Sequence, residues 1–327
     1  MRAIQIVELS GPEALLETDL PEPEASHMLT PGEGVVIDVE AAGVSFPELL
    51  QTRGEYQFKP PLPFVPGAEV AGVVRSGPDG AEVAAGDRVA AMCMLGGWAE
   101  VAVAPAFLAY RLPDELDFAQ GAGLVLNYHT AYFSLVTRGR LTEGESVLVH
   151  GAAGGVGTAT IQVAKGLGAR VFAVVSSEEK EKVAREAGAD EVVRSDGSWK
   201  DEVKELSGGG VDLVIDPVGG DRFTDSIRSL AEEGRVVVVG FTAGSIPEIK
   251  VNRLLLNNVE IIGAGWGAYV MGKPEVNRAI GAEIERLIGS GHVRPIVGAS
   301  FPLSGAVDAL RLLDERGATG KVVLELG

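Results

Sequence analysis

Cysteine is almost missing from this 327-residue sequence; Cys93 is the only one. A single thiol forms no intramolecular disulfide and no cysteine zinc cluster. Histidine is nearly as scarce. His27, His129, His150 and His292 are scattered without ligand spacing, so no metal is expected. Long apolar runs are lacking too. The longest, such as VVVV at 236–239, are strand-sized and too short to cross a bilayer. The N-terminus, MRAIQIVELSGPEALLETD, has no basic stretch followed by an apolar core, so no secretion signal is expected. Positive charge is in short supply: 28 Lys and Arg stand against 46 Asp and Glu, a formal charge of −18. Such acidity argues against nucleic acid and against anionic membranes as partners. A cytoplasmic protein is the expectation. There is no internal repeat, low-complexity stretch or coiled coil.

Apolar residues make up 46% of the chain, enough for two domains with their own cores. Over roughly the first 123 residues the texture is β-rich and broken by proline. Segments 35–44, 69–77, 87–95 and 98–105 read as strands split by Gly, Pro and Asp-Gly signals, with a short helix at 47–54. From about 124 strands and helices alternate. Strands are expected at 146–150, 170–175, 191–194, 211–216, 235–240 and 259–263, apolar on both faces as buried parallel strands require. Val156, Ala159, Val163, Ala164 and Leu167 share one helical face, and Phe223, Ile227, Leu230 and Ala231 another. This alternation predicts a doubly wound parallel sheet. After 264 come helices at about 275–289 and 304–316 and a strand at 321–326. The inner face of the first of these helices is expected to hold Val276, Ala279, Ile280, Ile284, Leu287 and Ile288. This tail is too small for a domain of its own and is expected to return to the first.

The most telling segment is SVLVHGAAGGVGTATIQVAKGLGARVFAVVSSEEK, 146–180. It reads strand, glycine-rich turn, helix, strand, the form of a site that cradles a dinucleotide pyrophosphate. Ala153, Gly154, Gly155 and Val156 form the turn, where backbone N–H groups can approach the anion and the helix start points its positive end at it. Gly157 lets helix and strand pack. After the second strand, where NAD sites carry an acid for the ribose 2′-hydroxyl, stand Ser176 and Ser177, with Lys180 three residues on. Hydroxyls and a cation suit a 2′-phosphate, whereas a carboxylate would repel it. NADPH is therefore the expected cofactor. Because the acidic chain as a whole repels phosphates, the pocket is expected to be locally basic, with Lys180 and Arg194. The alternative for the same residues is a solvated helix start with Ser177 as its N-cap.

About 145 residues precede this turn, and they carry their own signatures: AAGVSFPELLQTRGEYQFKPPLPFVPGAEVAGVV (41–74), GDRVAAM (86–92), GGWAEVAV (96–103) and TAYFSL (130–135). With AGADEVV (187–193), they make the chain resemble the medium-chain dehydrogenase/reductase superfamily, in its zinc-free NADPH:quinone oxidoreductase, or zeta-crystallin-like, branch. The resemblance covers essentially the whole chain. It implies a GroES-like β domain at 1–123 and 264–327, a Rossmann NADP-binding domain at 124–263, and an active site in the cleft between them. Zinc-dependent relatives place a Cys in the segment reading AAGVSFPELL and a His in PGAEVAG. Here those segments offer Ser45 and Ala68, and the departure points to no metal. Glu69 survives from the motif and is expected to be structural, paired near Arg53 or Arg88.

The resemblance also implies site residues. Thr130 is a candidate for a cofactor hydrogen bond, Asn127 a weaker one, and Tyr132 is expected to pack. Ser45 stands where relatives carry an Asn at the nicotinamide end. Tyr56 stands where related enoyl-thioester reductases carry a Tyr thought to donate a proton. Gly240, Phe241, Thr242 and Gly265 follow the fifth and sixth strands of the sheet, at carboxyl ends where ligands bind. Trp266 and Tyr269 are expected to line the substrate side, Asp216 to Gly219 to pass the adenine or ribose, and Gly320 and Lys321 to lie near the cofactor. The implied reaction is hydride transfer from NADPH to a quinone. The alternatives are an NADPH-dependent reductase of α,β-unsaturated carbonyls (enones) or enoyl-CoA thioesters and, more distantly, an NADPH-binding structural or sensing protein. A homodimer is expected, with 259–265 as the pairing edge.

Overall fold

The structure is a computed structural model that describes residues 1–326. It contains two compact units: 1–126 with 271–281 and 295–326, and 127–270 with 282–294.

In the first unit, strand formation follows the apolar, β-branched segments. In chain order these are β1 (Arg2–Ile6), β2 (Leu15–Asp19), β3 (Gly34–Val44), β4 (Glu69–Ser76), β5 (Arg88–Met92), β6 (Val101–Pro105) and β7 (Ala109–Arg111). The second unit supplies β8 (Ser146–Val149), β9 (Arg170–Val175), β10 (Glu191–Arg194), β11 (Val211–Asp216), β12 (Leu230–Val238) and β13 (Glu260–Gly263). The chain ends with β14 (Val297–Pro302) and β15 (Lys321–Glu325), which join the first unit.

β1 and β2 pair as a separate antiparallel ribbon. The large sheet of the first unit runs β14-β15-β3-β4-β5-β7, with β6 also on β3. The eleven-residue β3 is its centre because almost every residue along it is buried, and it pairs with β4, β6 and β15. Trp98 is wholly buried in this core, and its indole N–H donates to the Gly43 carbonyl at 3.0 Å, so its one polar atom is satisfied.

The second unit is a parallel sheet in the order β10-β9-β8-β11-β12-β13. Numbered from β8, this is the doubly wound order 3-2-1-4-5-6, with the switch point between β8 and β11. Leu148, Val214 and Val236 at its centre are fully buried, each stabilising the fold by roughly 1.5–3 kcal/mol. No helix among the described residues is long and apolar enough to cross a membrane.

Three expectations need correction. Leu230 and Ala231 do not continue the face of Phe223 and Ile227. The helix ends at Arg228, and Leu230 already pairs with Val211 as the start of β12. Ala279 is exposed, and Asn277 takes the buried place, because the side of helix Pro274–Gly289 that bears Gly281 lies against the ring of Tyr110. The tail from 264 does not return to the first unit in one piece. Residues 264–270 and 282–294 stay with the second. One cause is Gln162, which donates to the Arg294 carbonyl at 2.8 Å and accepts from the Arg294 amide at 2.9 Å.

Candidate functional site

The glycine turn follows β8 at the switch point of the second sheet. Gly151 turns the chain with φ +58, and Gly154 donates back to its carbonyl at 2.9 Å. Helix Gly155–Gly166 then starts with Gly154 at its N-cap and no side-chain cap, so the N–H groups of its first turn are left for a ligand. Ala153 is buried under the turn, while Gly154, Gly155 and Val156 are half-buried at its surface. A Cβ at 155 would come within 2.6 Å of Asn127 Nδ2, so this buried amide packs directly on the turn. Thr130 lies one helical turn beyond Asn127 in helix Val125–Tyr132 and is 9% exposed. Tyr132 is half-buried.

At the end of β9 the structure brings Ser176, Ser177, Lys180 and Arg194 to one corner. Ser176 is exposed. The Ser177 hydroxyl accepts from the Lys180 amide at 3.3 Å and caps helix Glu178–Glu186, so its capping role is real. Parallel pairing of β9 with β10 sets Arg194 opposite Val175, the residue before Ser176. The Arg194 guanidinium donates to Glu181 at 2.9 Å. Glu181 also pairs with Arg185, and the two cations hold its carboxyl below the usual range. A 2′-phosphate in this corner would share Arg194 with Glu181.

Two loops meet beside the turn. Asp216 Oδ1 accepts from the amides of Val218 (2.8 Å) and Gly219 (2.9 Å), folding 216–219 back on itself. The segment after β12 lies against it: Thr242 donates to the Pro217 carbonyl at 3.1 Å and Ala243 to the Val218 carbonyl at 2.9 Å. Gly240, Phe241 and Thr242 are thus fixed beside Gly219, where φ is +65 and a Cβ would come within 2.9 Å of the Phe241 ring. A Cβ at Gly151 would lie 3.2 Å from Val218, so the loop also abuts the glycine turn. Gly265, after β13, has open space where a Cβ would lie, and its carbonyl accepts from Tyr269.

Trp266 does not line an open face. It is buried, its ring 5.4 Å from that of His129. The sequence marks His150 only as a histidine without ligand spacing. It is buried with Nε2 2.8 Å from Ser226 Oγ, and burial lowers its pKa against the pull of the Asp216 charge. Its place immediately before the glycine turn was the available signal.

The first unit holds a second constellation. The Lys321 ammonium reaches Ser45 Oγ and Glu69 Oε1, each at 2.6 Å, and both Lys321 and Glu69 are almost fully buried. Glu69 Oε2 accepts from the Leu126 amide at 2.8 Å. Glu48, three residues after Ser45, accepts from the Ser45 amide and from the Ala68 amide, both at 2.9 Å. Burial pushes the Glu48 carboxyl up to about 7 despite nearby Lys321. Glu69 is therefore paired with Lys321 and not with Arg53 or Arg88. Arg53 binds Asp314, and Arg88 reaches Asp114 and the Leu116 carbonyl. Residues 69 and 321 meet because β15 and β4 flank β3.

Tyr56 lines a small hollow with Gln51, Phe58, Lys59 and Phe64, and burial and the Glu48 charge raise its pKa. Burial likewise raises the Cys93 thiol, an inert state for a thiol.

A zinc ion does not suit this constellation. Ser45 and Ala68 offer a hydroxyl and a methyl group, and a buried ammonium already neutralises Glu69. Among the described residues no three His, Cys, Asp or Glu side chains gather as ligands.

Known proteins match along the whole chain. Residues 31–114 match the family model "Alcohol dehydrogenase GroES-like domain", and 155–282 the model "Zinc-binding dehydrogenase". A mouse protein named quinone oxidoreductase-like protein 2 is 40% identical over 96% of this chain and 92% of its own length. A probable oxidoreductase from Mycobacterium abscessus is 45% identical, with a TM-score of 0.90 over 99% of this chain and 98% of that one. The quinone oxidoreductase of Thermus thermophilus, solved also in complex with NADPH, is 35% identical, with a TM-score of 0.81 over 100% of both chains.

Proposed function

The chain is an oxidoreductase of the zinc-free quinone oxidoreductase family of medium-chain dehydrogenases/reductases, and on that premise we propose that it binds NADPH and reduces a quinone by hydride transfer. The observation that carries the cofactor choice is the corner after β9. It holds two serines, Lys180 and Arg194, and no acid stands at the ribose position. The glycine turn and the bare N-terminus of helix Gly155–Gly166 bind the pyrophosphate. Thr130, Gly240 to Thr242 and Gly265 hold the nicotinamide end.

NADPH supplies the hydride when bound. The protein orients the acceptor and excludes water, and Ser45 and Tyr56 are the candidate groups for contact with the acceptor. A reduced quinone oxygen is a stabilised phenolate that water can protonate, so no acid–base pair is needed. The same family resemblance supports a homodimer. Its contact surface would be the edge strand β13 with Ile246, Val251, Leu255 and Leu256, each about three-quarters exposed.

One observation favours a second reading. Tyr56 keeps its proton at neutral pH beside Lys59 and two phenylalanines, a setting in which it could protonate the α carbon of an enone or enoyl thioester. The test is NADPH oxidation by the purified protein with an ortho-quinone and with a short enoyl-CoA at matched concentrations, with NADH as control. Faster quinone turnover with NADPH supports the first reading; faster enoyl-CoA reduction replaces it with the second.

A further inference from the structure

We propose that Lys321 is a positioning residue for the acceptor: its buried ammonium fixes the Ser45 hydroxyl as an outward hydrogen-bond donor to the oxygen on which charge develops. The inference rests on the reading that the acceptor takes a hydride at the Ser45 end of the first unit.

An ammonium has only protons to give, so at 2.6 Å the Ser45 oxygen must accept from Lys321. The hydroxyl proton is then directed away from Lys321. Ser45 is only half-buried, so that proton has an open side to serve. The group behind it is held firmly. Lys321 also donates to Glu69 Oε1 at 2.6 Å, and Glu69 is tied through its other oxygen to Leu126. The lysine stem runs along Gly123, where a Cβ would come within 2.9 Å of Lys321 Cγ. The Ser45 backbone is held in turn by Glu48. Each element of the arrangement is preorganised, and because Glu69 neutralises the ammonium, what meets a developing oxyanion is the fixed dipole of the oriented hydroxyl.

A buried Lys–Glu pair is by itself weak evidence for stability, since desolvation offsets most of the attraction. The partly open hydroxyl at its head gives this pair a use beyond packing. In the proposed step the hydride adds to the quinone, its oxygen becomes a phenolate, and Ser45 keeps its proton while donating the hydrogen bond. Water later protonates the product.

The test compares the wild type with Ser45→Ala and with Lys321→Met combined with Glu69→Gln, in which the glutamine avoids stranding the Glu69 carboxylate. Each protein is assayed with a readily reduced quinone and with a poorly reduced one, and NADPH affinity and melting temperature are measured alongside. Expected is a loss of kcat of about 100-fold or more on the poor acceptor, the scale of one lost oxyanion donor, and a clearly smaller loss on the good one. NADPH affinity should stay within a few-fold. A variant combining all three substitutions should be no slower than the slower parent, because the residues act as one unit. Equal losses on both acceptors, or losses that multiply in the triple variant, overturn the inference. If the double variant does not fold, Lys321→Arg, which keeps the charge beside Glu69 but moves the donor away from Ser45, takes its place; a wild-type acceptor ratio in it overturns the inference. A wild type that oxidises NADPH with neither quinone overturns the functional reading itself, and this inference with it.

Discussion

A Cβ on residue 157 would overlap the carbonyl oxygen of Gly151, the residue that turns the chain out of β8. The helix and the turn can approach this closely only because Gly157 has no side chain. The turn proposed to cradle the cofactor therefore depends on a contact that no other residue allows.

Gly157→Ala should separate the helix from the turn, costing about 1–3 kcal/mol of stability and most of the NADPH affinity. Gly154→Ala has more room, its nearest neighbour lying at 3.4 Å, and should lose no more than about 1 kcal/mol, the cost of alanine at a helix N-cap. Its NADPH affinity should still fall, because the methyl would stand between backbone and pyrophosphate. Thermal melts and NADPH fluorescence titrations of both variants check this. Unchanged affinity in Gly154→Ala would move the pyrophosphate elsewhere.

The glycine turn was legible from sequence because it is local: strand, turn and helix follow one another within a short stretch. The Glu69–Lys321 pair was not, since 252 positions separate its members and only the β4-β3-β15 pairing joins them. The sequence made Arg53 and Arg88 plausible partners for Glu69, and each has an acid of its own elsewhere. Arg194 was read correctly as lying at the end of its strand. Its engagement with Glu181 depends on how helix Glu178–Glu186 packs, which strand periodicity does not report.

That engagement makes a prediction. Glu181→Gln should free Arg194 for the ribose phosphate and tighten NADPH binding several-fold while leaving NADH unchanged. Ser176→Asp should act the other way and lower the NADPH to NADH ratio of kcat/KM by about tenfold or more, since a carboxylate repels the phosphate. Steady-state kinetics with both cofactors read the two effects. No change in either variant would remove this corner from the cofactor site.

Glu48 should make stability depend on pH. Its carboxyl is raised from an ordinary 4.5 to about 7 by burial. Between those values the folded state binds more protons than the unfolded one. The stabilisation is thus complete below about 4.5 and is lost as pH rises through about 7. The loss is on the order of 3 kcal/mol. Glu48→Gln leaves one of the two amides unserved, a constant penalty, but removes the slope. Denaturant melts of both proteins from pH 4.5 to 8 should show the wild type losing ground against the variant as pH rises. Parallel curves would contradict it.

Leu255 and Leu256 are 77% and 76% exposed beside the edge strand β13. Replacing both with glutamate should leave the melting of the monomer unchanged within about 0.5 kcal/mol, as expected for surface sites. It should convert a dimeric protein to a monomer in light scattering. A wild type that is already monomeric would rule out this surface as a self-contact.

Hydride transfer from NADPH to a quinone is the central step. The most direct measurement is an anaerobic single turnover of the NADPH-loaded protein with an ortho-quinone, run with ordinary NADPH and with NADPH deuterated at C4. Expected is stoichiometric oxidation that slows by a primary isotope effect when the transferred position carries deuterium. Bound NADPH that survives the quinone, or is oxidised at a rate indifferent to deuterium at either face of C4, would contradict it.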